Sequence, residues 1–112
     1  MDQRLKDALE HADYVTTFNN QKRILQQKFK KESILYYQGH AFTASVELLA
    51  FAINQSEDYW VIDNNKIPVH ITKVLDFYEK LKETYHNATQ NYGNEYAKML
   101  ENKKTVEGLF GV

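Results

Sequence analysis

Apolar and polar positions divide the chain into stretches with different periods. Over residues 3–30, Ala8, Val15, Phe18, Leu25 and Phe29 recur near three- and four-residue steps, and Leu5, Leu9 and Ala12 widen the stripe toward the start. No proline or glycine occurs before Gly39, so the pattern predicts one long helix. Asp2 is placed to cap it, and lysines gather at its end, where the helix dipole favours cations. The last stretch carries a sharper signal. Val74, Tyr78, Leu81, Tyr85, Ala88 and Tyr92 follow one another at steps of 4, 3, 4, 3 and 4, the spacing of a helical packing seam. Thr72 offers a cap, Ile71 extends the seam backward, and Tyr96, Met99 and Leu100 extend it forward past a small slip near Gly93. Three of these positions are tyrosines seven residues apart. A ring can be buried while its hydroxyl reaches solvent, so they read as packing rather than as a ladder of reactive phenols.

Between the helices lie two hairpin signals. SILYYQ and AFTA flank Gly39-His40, and glycine at the first central position predicts a type II′ turn. YWVID and KIPVHI flank Asn64-Asn65, which predicts type I′ because asparagine tolerates positive φ. Pro68 has no N–H for a ladder, which predicts that its strand lies at a sheet edge or that its nitrogen faces outward. Ser45 caps a short helix, VELLAFAINQ, apolar nearly all round and therefore expected to press against a sheet. The predicted class is α+β in the order α-ββ-α-ββ-α. Two long helices pack as an antiparallel hairpin, and the two β-hairpins and the short helix lie between them in sequence. Prefoldin-type chaperone subunits share this coarse layout, without a shared motif and without the middle helix.

A length of 112 residues predicts a single domain, 1–112, with one core. Net charge is −1 and cysteine is absent. The first excludes a global field toward nucleic acid or membrane, and the second excludes disulfides and thiol chemistry. No apolar run approaches the roughly 20 residues of a membrane span. MDQRLKDALEHAD lacks the apolar segment of a secretion signal, so the expectation is a protein that works inside a cell.

The stretches LEHADYVTTFNNQKRILQQKF, GHAFTASVELLAFA, VIDNNKIPVHI, YHNATQNYGNEYAKM and KKTVEGL, in order over nearly the whole chain, resemble a family of small proteins from T4-like phages of marine cyanobacteria and their relatives. Twelve lysines against two arginines, with nine asparagines, agree with an AT-rich genome of that kind. The resemblance implies a phage-encoded protein in the cytoplasm of an infected bacterium or in the virion. It carries over no activity and no functional residue.

Reactive chemistry finds little footing in the residues. His11, His40, His70 and His86 fall on separate predicted elements. Glu83 and His86 form one Glu-x-x-His step, whereas a carboxylate-bridged di-iron bundle needs two such steps and further glutamates. No nucleophile elbow, phosphate loop or dinucleotide fingerprint occurs. The reading is a non-enzymatic protein without metal or cofactor.

Two features point to partners. Lys22, Arg23, Lys28, Lys30 and Lys31 form one dense basic stretch, a candidate for nucleic-acid phosphates. The plainer reading, lysines decorating a helix end, is preferred. Phe77, Tyr96, Leu100, Leu109 and Phe110 lie partly off the helical seam and are a candidate oligomer interface. Two glycines among the last five residues argue against helix there, leaving 106–112 as a docking tail. The leading expectation is a protein–protein interaction or assembly protein, self-associating as a dimer or higher and with room for a phage or host partner. The alternative is a nucleic-acid-associated accessory protein using the basic end of the first helix.

Overall fold

The computed structural model describes residues 2–110; the side chains of Tyr14 and of residues 105–110 lie outside that description. The elements are α1 (Gln3–Glu32), β1 (Ile34–Tyr37), β2 (His40–Thr43), α2 (Val46–Ile53), β3 (Tyr59–Ile62), β4 (Pro68–Ile71) and α3 (Val74–Phe110). This is the α+β order that the periodicity predicts. Two boundaries differ. The helix does not stop before its glycines: α3 runs through Gly108 to Phe110. It starts at Val74, with Lys73 rather than Thr72 at the cap position, because the Lys73 carbonyl accepts the helical bond from the Phe77 N–H at 3.0 Å.

Where the length predicts one domain, the residues gather into two compact units, 1–28 with 91–112 and 29–90. In the first, the helices run antiparallel. Lys28 Nζ lies 2.6 Å from Glu95 Oε1, and the Lys103 ammonium sits 4.9 Å from the centre of the Phe18 ring, so numbers rise along α1 as they fall along α3. Met99 is buried, while Phe18 and Leu25 are half-buried. Leu5, Leu9 and Ala12, which widen the stripe, stay exposed, as does Val15 of the stripe itself, since one helix packed on another covers only a narrow strip. At the start of α1, the Arg4 N–H donates to Asp2 Oδ1 at 3.2 Å, as a cap should.

The second unit has a core of Tyr37, Phe42, Ala44, Ala52, Tyr59, Val69, Ile71, Phe77 and Leu81. Phe77 stands at its centre with 0% of its surface exposed. The rings of Tyr37 and Phe42 meet it edge-on at 5.0 and 5.1 Å, and that of Tyr59 at 6.5 Å. This corrects its place in the candidate oligomer interface. The two hairpins cover more of α3 than the drawn seam, so a residue one step off the seam is buried as deeply as Leu81, also at 0%. Tyr78 and Tyr85 pack half-buried against the same core. The Tyr37 hydroxyl donates to Asp76 Oδ2 at 3.0 Å, in the first turn of α3.

Both turns differ from expectation, for local reasons. In the first sheet Tyr37 pairs with His40, so the central residues are Gln38 and Gly39, with φ of 52° and 79°. Two consecutive positive φ values mark a type I′ turn. Glycine is second in it, and His40 passes into the strand. In the second sheet Ile62 pairs with Pro68, leaving a five-residue connection. The Lys66 N–H donates to the Asp63 carbonyl at 3.1 Å, and the Asp63 N–H to that of Ile67 at 2.9 Å. Lys66 takes the left-handed conformation at φ 67°, and neither asparagine does. This is a turn closed by one left-handed residue, the usual form of a three-residue hairpin loop. Ser45 caps α2 by accepting the Leu48 N–H at 3.1 Å. Only one side of α2 is covered: Ala52 is buried and Leu48 and Leu49 are half-buried, but Val46, Phe51 and Ile53 remain exposed.

Two predictions follow from the packing and the turn. Phe77→Ala should cost about 3–5 kcal/mol in denaturant melts, as a large-to-small change at a closed site; a loss below ~1 kcal/mol would mean that Phe77 faces water. Lys66→Gly should be neutral or stabilising by up to ~1 kcal/mol, because glycine takes positive φ without steric cost. Asn65→Gly should bring no such gain.

Candidate interaction surfaces

Two of the predicted interface residues meet in the first unit. Tyr96 and Leu100 line a shallow groove of about 380 Å³ together with Tyr92, Gly93 and Ala97 on α3 and Lys22 on α1. The α3 residues recur at steps that keep them on one side of a helix. The rings of Tyr92 and Tyr96 stack at 6.0 Å, Leu100 is 38% exposed, and a Cβ added at Gly93 would meet nothing within 4 Å. The floor of the groove is therefore open. The side chains of Leu109 and Phe110, and with them the docking tail over 106–112, lie outside the described residues.

The second unit leaves other apolar groups outside. Trp60 and Ile62 point from the outer face of β3, with Trp60 63% exposed. They stand opposite His70 and Pro68 on β4. The Trp60 ring stacks on that of His70 at 4.8 Å, and His70 Nε2 lies 3.9 Å from the Asp58 carboxylate. A groove of about 270 Å³ runs between the end of α2 and the start of α3. Ile53 and Leu75 stand at its rim, Leu75 with 70% of its surface exposed.

The basic stretch does not form one face. At about 100° per residue, Arg23 and Lys30 project together, while Lys22, Lys28 and Lys31 point to three other directions. Lys28 is paired with Glu95, and Lys30 and Lys31 occupy the last turn of α1. A phosphate backbone needs a continuous basic track, and this placement does not draw one.

Sequence reasoning missed the role of His40. Its Nδ1 lies 2.8 Å from Oδ2 of the buried Asp63. The other carboxylate oxygen of Asp63 accepts the N–H groups of Asn65 at 2.9 Å and Ile67 at 2.8 Å. Beside it, the Asn64 N–H donates to the Ala41 carbonyl at 2.8 Å, and Asn64 Oδ1 accepts the Thr43 N–H at 3.2 Å. The turn of the second hairpin is thus laced to β2 of the first. An aspartate opening a turn was a visible signal; a partner 23 residues away was not. Among the described residues, no group of three or more histidine, aspartate or glutamate side chains is gathered to hold a metal.

Burial disfavours the charge on Asp63, but the Ile67 N–H, His40 and the Asn65 N–H outweigh it and hold its pKa below the ordinary range. A lowered folded pKa stabilises the protein above the unfolded value of about 3.9, and the effect is lost as pH falls through the folded value. Asp63→Asn should therefore melt below the native protein at pH 7, with the gap closing once the pH drops under about 4. Melting curves taken from neutral to acid pH check this; a gap that stays constant would deny the charge its role.

Searches of protein-family models, curated proteins and solved structures gave no match to this chain.

Proposed function

We propose that this protein is a non-enzymatic assembly protein that acts through protein–protein contacts and associates with itself. The observation that carries this reading is the outer face of the second sheet. A two-stranded antiparallel sheet ordinarily turns polar groups to water on its free side; here Trp60 and Ile62 occupy it, and Ile53 and Leu75 add more exposed apolar surface in the same unit. Clustered exposed apolar groups mark interaction sites, and tryptophan is among the residues that dominate binding energy at interfaces. The open groove on α3, holding Tyr96 and Leu100, supports self-association by the last helix. The likeness to proteins of T4-like marine phages supports placing the assembly in an infected bacterium or a virion, with a phage or host protein as a further partner. No described helix is long and apolar enough to cross a membrane.

Sedimentation of the intact chain tests the reading. The mass should be at least twice the 13.2 kDa of one chain at micromolar concentration. It should hold as salt rises, because apolar burial is not screened. A single-chain mass at every concentration would overturn self-association. Binding to DNA or RNA that weakens steeply with salt would favour instead the nucleic-acid role for Lys22, Arg23, Lys28, Lys30 and Lys31.

A further inference from the structure

We infer that the groove on α3 is filled by α3 of a second copy, the two helices pairing antiparallel about a twofold axis that crosses them at Tyr96 and Ala97. This rests on the self-association proposed above and names the surface that forms it. The starting point is Gly93. Glycine inside a helix weakens it relative to alanine, so its presence within the 37 residues of α3 calls for a compensating use. Left-handed backbone is not that use, because the only described glycine with positive φ is Gly39. Crowding is not that use either, because a Cβ at Gly93 would meet nothing within 4 Å. What the glycine leaves is a hole in an apolar groove, with Ala97 one turn further along.

A second copy is the occupant because the face that holds the hole also holds the knob. Leu100 lies two turns beyond Gly93 on the same side of the helix, and it is partly exposed. With the axis at Tyr96 and Ala97, Leu100 of each copy stands over Gly93 of the other. Ala97 then meets Ala97, which lets the backbones approach, and the Tyr96 rings meet beside the axis. A twofold interface needs this self-complementarity, with each contact made twice. Parallel pairing fails the same test, since it would set Gly93 against Gly93 and leave the hole empty.

The chain has no cysteine, so single introduced thiols are unambiguous. Full-length Gly93→Cys and Leu100→Cys, mixed in equal amounts and oxidised, should give the mixed disulfide well in excess of either like-with-like product. Gly93→Leu fills the hole at a site open to solvent. It should weaken association at least tenfold by sedimentation while the melting temperature holds or rises, which separates a lost interface from a damaged fold. If Gly93→Leu associates as the native chain does, or if Gly93→Cys cross-links to itself as readily as to Leu100→Cys, this pairing is wrong and self-association stands through another surface. A native chain that stays single throughout overturns both.

Discussion

Phe77 is the point on which the second unit depends. Two-stranded sheets are marginal in water by themselves, and this unit contains two of them. Each becomes stable by placing aromatic rings on the same phenylalanine: Tyr37 and Phe42 from the first hairpin, Tyr59 from the second. Edge-to-face contacts of this kind add to the area that the rings bury. The hydroxyl of Tyr37 then reaches Asp76, the residue just before Phe77, so the first hairpin grips α3 by both a ring and a polar tip.

A second, polar constraint sets how the hairpins meet each other. Asp63 is buried and still charged because two backbone N–H groups and His40 answer its two oxygens. A buried carboxylate without such partners would be strongly disfavoured. Asn64 adds backbone bonds to Ala41 and Thr43. Together they hold the second turn on the edge of β2, which would otherwise offer free backbone groups to another chain.

With the hairpins occupied by α3 and by each other, one side of each remains uncovered. Trp60 and Ile62 fall on such a side, and Ile53 of α2 and Leu75 of α3 are exposed at the groove between those two helices. The same excess appears in the first unit, where one helix covers Met99 but leaves Gly93, Ala97 and Leu100 at the surface. The assembly role proposed above rests on this surplus of apolar surface, while several of the polar side chains hold the fold. His40 and Asp63 bind each other, and His70 supports Trp60.

The sequence by itself determined the elements. The periods of α1 and α3, the Asp2 and Ser45 caps and the two hairpins depend on neighbours within a few residues, and they stand where the pattern puts them. Tyr96 and Leu100 were also readable as one face, because their spacing is a property of the helix alone. Only the tertiary structure decided which apolar residues are covered. Phe77 and Leu100 look alike in sequence, yet one is closed in by three rings from distant strands and the other borders an open groove. It also decided the exact turns: Gln38 and Lys66 accept left-handed backbone that their own preferences resist, because the pairing of Tyr37 with His40 and the bonds of Asp63 to Lys66 and Ile67 hold them there. The rings that close in Phe77 come from strands far back in the chain, and no local pattern carries that contact.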